Sequence, residues 1–430
     1  MGLVCGSGTL LSLRVSWKHN DEPCRRPSAG LHPLVCWFAD VTSTLDDVGK
    51  KEKEGKSRPT ATRPRALLKS KKKSRSQVKV QVSNRYFERE RMPNTFTYYC
   101  ITGANGGLGL ESARQLALLH HQPLSSDSSS ETTIFLLCRR ESSANEAISA
   151  LQTSSSSTTS SSTCNHKVNF TFVQFDSSDR PSVEAAVTAL STQIPDGQHI
   201  DGLLCNAGGF TSDTKGTRCK SGATFIAETN LIGHAALVDG LLQSKKLASG
   251  KSRVVFSASE AGLGEPFAIK WGNDLEYYSR ILDGSEYGKR YAPSTAYGHI
   301  KGIIALYAAA LARRHPDMFF AAVTPGSTKG TNLIDQGSFS NCAINALLKG
   351  FIKLSGQHSV SDGAKRYIDA LVNRRTSGGD DEYEYPSGTF VTSKKKYVGA
   401  TCAATTLSKG KAFGDEEKQD LAYEAVRNFL

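Results

Sequence analysis

The chain has 430 residues, of which 38% are hydrophobic and 22% charged, and it carries a formal net charge of +12. That length allows two or three ordinary domains, and no run approaches the roughly 18 apolar residues that span a bilayer, so no transmembrane helix is expected. The charge is unevenly spread: residues 1–91 hold 20 Lys/Arg against 9 Asp/Glu, and the remainder is nearly balanced at 33 against 32.

The segment 1–91 lacks sustained periodicity and contains the run Lys69-Ser70-Lys71-Lys72-Lys73-Ser74-Arg75. Such a stretch buries too little apolar surface to offset its ordering entropy, so a disordered basic extension is expected. A basic tail also suits a transit peptide, an anionic membrane or nucleic acid. Met92 is a further candidate for the natural start. Asp21 and Glu22 follow the short apolar patch closely and argue against a secretory signal. Gly6 stands where a myristoylation motif needs Ser or Thr. The ten cysteines include no CxxC pair and no metal-type spacing. Cys100, Cys138 and Cys205 fall in apolar runs where a thiol serves as a small buried hydrophobe. This pattern points to a reducing compartment, cytoplasmic or plastid/organellar, and to no metal site.

Strands and helices alternate from Thr95 onward. Strands are expected at Tyr98–Thr102, Ile134–Cys138, Phe170–Phe175, Leu203–Asn206, Val254–Ser257 and Phe319–Val323. Helices are expected at Leu108–His120, near Ala144–Leu151, and at Val183–Leu190, Glu228–Leu242 and Ala296–Arg313. A Ser/Thr-rich tract, Ser154–Thr163 within a loop over 152–165, is too polar to pack. The rhythm predicts an α/β fold over 94–430: one Rossmann-type, doubly wound parallel sheet with helices on both faces.

Ile101 to Gly109 reads I-T-G-A-N-G-G-L-G between the first strand and its helix. Gly103, Gly107 and Gly109 allow a tight turn that brings peptide N–H groups against a pyrophosphate at the helix N-terminus. An acidic residue ending the second strand would grip the 2′-hydroxyl of NAD; here Cys138 is followed by Arg139 and Arg140, which suit a 2′-phosphate. NADPH/NADP+ is therefore the expected cofactor. Tyr297 and Lys301 lie four apart on the long helix, so phenol and ammonium share a face. A fixed cation there favours the phenolate and makes the hydroxyl a better acid or base near neutrality.

The loop Thr102-Gly103-x-x-x-Gly107-x-Gly109, Asn206-Ala207-Gly208, Asn230-x-x-Gly233 and Tyr297-x-x-x-Lys301 together resemble the short-chain dehydrogenase/reductase family. The resemblance implies that Thr102, Gly103, Asn105, Gly107, Leu108, Gly109, Arg139, Asn206, Ala207, Gly208, Pro325 and Gly326 border the cofactor, with Asp176 near the adenine. It also implies that Tyr297 supplies the proton, that Lys301 tunes it and binds the nicotinamide ribose, and that Asn230 holds a relay water. The serine that orients the substrate is Ser259 by register, with Ser257 as the fallback. His234 is read as a packing or hydrogen-bonding residue.

Within the family, the gap of 38 positions from Ser259 to Tyr297, the Cys138-Arg139 pair and Asn230-x-x-Gly233-His234 resemble the retinol dehydrogenase and protochlorophyllide reductase branch. Ser359–Val372, Ser387-Gly388-Thr389-Phe390 and the charged last helix add to this. The photoenzymes carry a cysteine directly after the Pro-Gly, where this chain has Ser327. The segment Gly262–Pro293, with Phe267, Trp271, Tyr277, Tyr278 and Tyr291, either covers a large apolar pocket or pins itself to the body. A small hydrophobic substrate is the expected partner, with no nucleic acid expected for the folded body. Peripheral membrane association and the oligomeric state stay open. The competing functions are a catalytically quiet dinucleotide-binding module and a nucleic-acid-associated protein working through residues 56–75.

Overall fold

Alternation of apolar side chains along each strand divides the core in two, one half on each face of a central sheet. The computed structural model describes residues 2–4, 10–12, 95–120, 130–156, 166–210, 213, 215–264, 269–328, 358–372, 385–395 and 398–430. The chain divides into a unit over residues 1–83 and a unit over residues 84–430. In the first, the apolar patch forms a pair of short antiparallel strands, Gly2–Val4 and Leu10–Ser12, with Leu3 opposite Leu11. The rest of the expected basic extension lies outside the described residues. The Ser/Thr tract beyond Ser156 lies outside them too, while residues 152–156, expected in a loop, continue a helix instead.

The second unit is built on strands β1 (Thr95–Thr102), β2 (Ser130–Cys138), β3 (His166–Gln174), β4 (Gly202–Cys205), β5 (Arg253–Ser257), β6 (Phe319–Val323), β7 (Phe390–Lys395) and β8 (Val398–Ala403). Their order in the sheet is β3-β2-β1-β4-β5-β6-β7-β8. The first seven run parallel. The edge strand β8 is antiparallel to β7, with Thr401 opposite Ser393 and Cys402 opposite Thr392. The fold is therefore the doubly wound α/β architecture, extended by two strands that the sequence reading did not place.

Period-two alternation assigns Tyr98 and Cys100 of β1 to one face and Tyr99 and Ile101 to the other. Helices α1 (Gly107–His120), α2 (Glu141–Ser156) and α7 (Val360–Val372) cover the second face, through side chains such as Leu116, Leu151 and Tyr367. The first face is covered by α3 (Arg180–Gln193), α4 (Gly233–Gln243), α5 (Leu275–Asp283), α6 (Pro293–Arg314) and α8 (Glu416–Arg427). Cys100, Cys138 and Cys205 are free thiols buried in the strands. Among the described residues no helix is long and apolar enough to cross a membrane.

Two expected elements differ. The helix expected at Glu228–Leu242 is composite: a short turn Phe225–Ala227, a π-helical turn Glu228–Ile232, then α4. The segment between Gly262 and Pro293 is more than a loop, because α5 lies within it, capped by the Asp274 side chain on the Tyr277 N–H and ended by Gly284 at φ +82. Its aromatics pack inward. Tyr278 is fully buried, and Trp271 stacks on it at 6.2 Å between ring centroids. A Cβ on Gly302 of α6 would lie 2.3 Å from the Trp271 ring, so the indole rests on the helix backbone. Phe267 lies outside the described residues.

Candidate active site

The strand order reverses between β1 and β4, and ligands of such sheets bind outside the carboxyl ends of the strands at that point. Thr102 ends β1 there, and the chain turns through Gly103 (φ +66) and Gly107 (φ +53) into α1. The Gly103 N–H donates to Leu137 O at 2.8 Å, tying the loop to β2. A Cβ on Gly109 would come within 2.3 Å of Gly103 O, so only glycine lets the helix start this close to the turn. Among the described residues, a Cβ on Gly106 or Gly107 would meet nothing within 4 Å, so they leave the outer side of the loop open. The first N–H groups of α1 have no partner inside the helix and suit an anion. Asn105 is exposed and Leu108 half-buried beside them.

Burial pushes the Cys138 thiol beneath the loop up to about 11, against the backbone N–H groups of Ala104 and Asn105, which bond it. Arg139 and Arg140 follow directly and are exposed. Asp176, after β3, closes an Asx turn: its Oδ1 accepts from the Ser178 N–H at 2.9 Å and the Ser178 hydroxyl at 2.7 Å. The three residues expected at the adenine end thus all sit at the carboxyl ends of β2 and β3.

The fully buried Thr102 links the first strand to the motif after β4. Its Oγ1 accepts from the N–H groups of Asn206 at 2.8 Å and Ala207 at 2.9 Å, and the Asn206 amide donates to Thr102 O at 3.0 Å. His234 Nε2 lies 3.0 Å from the same hydroxyl, and its Nδ1 lies 3.3 Å from Asn230 O. Burial, with Lys301 nearby, depresses this imidazole to about 3, so it bridges the two elements as a neutral ring. His234 is therefore the hydrogen-bonding residue that the sequence reading expected.

The Asn230 carboxamide turns toward Gly209. Its Oδ1 accepts the Gly209 N–H and its Nδ2 donates to Gly209 O, both at 3.0 Å, with a further bond to Ile226 O at 2.9 Å.

The candidate Ser–Tyr–Lys cluster lies where α6 passes the end of β5. Tyr297 and Lys301 are both buried, at 4% and 3% exposure, and the ammonium stands 5.5 Å from the centre of the phenol ring. Lys301 Nζ donates to Ser257 O at 2.7 Å. Ser259 caps the 3-10 turn Glu260–Leu263, its Oγ taking the Ala261 N–H at 3.2 Å, and its hydroxyl is near enough to the Tyr297 phenol to favour the ionised form. The Ser257 hydroxyl is bonded to Tyr367 OH of α7 at 2.7 Å. Pro325 and Gly326 follow β6 half-buried, with Gly326 at φ +74.

The electrostatics depart from the expectation that a neighbouring cation lowers the phenol. Burial pushes Tyr297 well above its ordinary value near 10, the Ser259 hydroxyl works against this, and Glu260 reinforces it. Burial also brings Lys301 down to about 7. Desolvation outweighs the cation because both groups are dry.

Three features here were not found from the sequence. Phe210 stacks on Tyr297 with ring centroids 4.1 Å apart. The other two are Tyr367 and the buried pair Glu260–Arg366, which is 3.9 Å apart. Phe210 follows a recognised motif by two positions and carried a weak signal; the others depend on contacts more than a hundred positions apart.

Residues 97–270 match the family model described as short chain dehydrogenase. No curated protein matches the chain. Several solved structures are similar. An alcohol dehydrogenase from the archaeon Thermococcus sibiricus, complexed with 5-hydroxy-NADP, is 16% identical over 68% of this chain and 97% of its own, with a TM-score of 0.43. Salutaridine reductase from Papaver somniferum is 19% identical over 68% and 99%, with a TM-score of 0.44. An NADPH-bound carbonyl reductase from chicken fatty liver is 19% identical over 71% and 99%, with a TM-score of 0.43. The matched span holds the glycine loop, Asn206–Gly208, Asn230 and Ser259, while the fold brings Tyr297 and Lys301 to it from beyond. Over residues 97–270 the chain is thus similar to the short chain dehydrogenase family.

Proposed function

We propose that the chain is an NADPH-dependent oxidoreductase acting on a hydrophobic carbonyl or alcohol, or on a conjugated double bond. The observation that carries this is the convergence of Ser259, Tyr297 and Lys301 beside an open glycine loop at the switch point. The residues present fit a dinucleotide. The N–H groups opening α1 would take the pyrophosphate, Arg139 and Arg140 the 2′-phosphate, and Asp176 and Asn206–Gly208 would border the adenine half. Pro325, Gly326 and Lys301 would border the nicotinamide half. The bound cofactor supplies or accepts a hydride.

The chain's own residues manage the oxygen of the substrate. Ser259 donates a hydrogen bond that fixes it against the Tyr297 hydroxyl, and Tyr297 gives it a proton as the carbon is reduced. A phenol whose pKa is raised by burial is a weak acid and keeps its proton until the alkoxide forms. Lys301 stabilises the phenolate that remains, and a water on Asn230 would return a proton to the pair. Oxidation runs through the same groups in reverse.

The retinol dehydrogenase and protochlorophyllide reductase branch supplies the finer reading, with Ser327 in place of the photoenzymes' cysteine leaving dark chemistry favoured. A catalytically quiet binding module needs the glycine loop alone and gives no reason for a Ser–Tyr–Lys cluster.

The test is a fluorescence titration of NADPH and NADH against the full chain and against Arg139→Ala/Arg140→Ala. The wild type should prefer NADPH, and the double variant should bind it at least tenfold more weakly, with NADH little changed. Tyr297→Phe should keep NADPH affinity and lose about 10²–10⁴ in turnover of an apolar aldehyde. Binding of neither nucleotide overturns the enzyme reading.

A further inference from the structure

We infer that Phe210 is a substrate-contacting ring that selects flat, conjugated carbonyl compounds, an inference that rests on the oxidoreductase reading above. Phe210 lies against Tyr297 at 4.1 Å between centroids with 25° between the ring planes, and it is half-buried where the phenol is almost fully enclosed. Its ring therefore borders both the proton-donating side chain and the open side of the site.

The position of the ring is fixed by the backbone before it. Gly209 is clamped by both ends of the Asn230 carboxamide, its N–H to Oδ1 and its O from Nδ2, each at 3.0 Å. Gly208 adopts φ +129, and a Cβ there would lie 2.6 Å from Asn230 Oδ1, so the strap from β4 to Phe210 has no slack at this point. Asn230 is itself anchored, because its amide also bonds Ile226 O. The clamp makes Asn230 a positioning residue for Phe210.

Three aromatic side chains of the segment before α6 are engaged elsewhere. Trp271 rests on Gly302, Tyr278 donates to Gly272 O at 3.2 Å, and Tyr287 OH lies 2.8 Å from His299 Nδ1. They pin that segment to the body. Among the described residues, Phe210 is the aromatic ring that stacks on Tyr297.

A carbonyl oxygen bonded to the Tyr297 hydroxyl holds its substituents beside Phe210. A substituent conjugated with the carbonyl lies flat and offers a π face to the ring, whereas a saturated ring of the same size is puckered and touches at fewer points. Stacked aromatic pairs prefer offset or edge contacts at such separations, and their extra stabilisation is equivalent to roughly a two- to tenfold preference.

The experiment measures kcat/KM of the full chain with NADPH for benzaldehyde and for cyclohexanecarboxaldehyde, with NADPH affinity followed separately by fluorescence. In Phe210→Leu the benzaldehyde-to-cyclohexanecarboxaldehyde ratio should fall about three- to tenfold, in Phe210→Tyr it should hold, and NADPH affinity should not move in either. Phe210→Met reads the same loss if Phe210→Leu does not fold. An unchanged ratio overturns the inference. So does a rise in both rates, which would make Phe210 an obstruction. A wild type that binds NADPH and reduces neither aldehyde overturns the substrate class while sparing the cofactor reading. Absence of NADPH binding overturns that reading and this one with it.

Discussion

Lys301 is a cation in a dry place: its Nζ donates to Ser257 O, and among the described residues no carboxylate pairs with it. Burial lowers it from 10.5 to about 7. Above about pH 10.5 the amine is neutral folded and unfolded alike. As pH falls from there the unfolded chain takes the proton first, so stability declines until about pH 7 and the loss is constant below. One unit is about 1.4 kcal/mol, so the cost near neutrality is on the order of several kcal/mol. Lys301→Met removes the titration and leaves Ser257 O without its donor, a smaller loss. Melting of both proteins between pH 7 and 10 should show the variant gaining on the wild type as pH falls, while its turnover is lost. A difference that does not change with pH would show that the amine is solvated. His234 marks how far such detail was legible. The Asn230–His234 spacing of one helical turn is plain in the sequence, but Thr102, the other partner of the ring, is 132 positions away.

The elements around the site are held by a buried network that no local pattern reveals. Glu260, in the turn that Ser259 caps, accepts from the Thr324 and Ser393 hydroxyls and lies 3.9 Å from Arg366 of α7. Arg366 in turn donates to Thr324 O at 3.3 Å, Ser393 Oγ at 2.9 Å and Gly399 O at 2.8 Å, and lies 2.9 Å from His358 Nε2. One guanidinium thus joins β7, β8, α7 and the residue after β6 to the turn that carries Ser259. Arg366→Met should cost about 3–5 kcal/mol in chemical denaturation, because it strands a buried carboxyl and several acceptors. Glu260→Leu/Arg366→Met should recover part of that, since an apolar pair replaces both charges. A single variant within about 1 kcal/mol of wild type would show that the network holds nothing. The six strands with apolar cores were legible because each ends in a turn or glycine signal. Helix α5 carried the same kind of signal, Asp274 before and Gly284 after, and was hidden by reading its aromatics as a loop lining.

At the scale of the molecule, the site depends on α6 staying against the sheet, and α8 is what covers the outer side of α6. Tyr423 of α8 stacks on the fully buried Tyr307 at 5.6 Å, and the Arg314 guanidinium lies 3.8 Å from the Tyr423 ring centre. Asp420 accepts from Arg313 and, at 2.7 Å, from Arg314, and Arg427 reaches Asp239 of α4 at 2.9 Å. These exposed ion pairs contribute little each; the docking rests on Ala422, Ala425 and Val426, which are fully buried. Ala422→Asp places a carboxylate in that seam, where desolvation has no compensating partner, and should cost several kcal/mol. Melting should fall by about 5–10 °C, while Glu417→Ala on the outer side should leave it unchanged. Because α6 carries Tyr297 and Lys301, the loss should appear as one cooperative transition in which NADPH binding and secondary structure disappear together. A variant that melts like wild type, or that loses α8 in a separate early step with the site intact, would show that α8 folds apart from the body it covers.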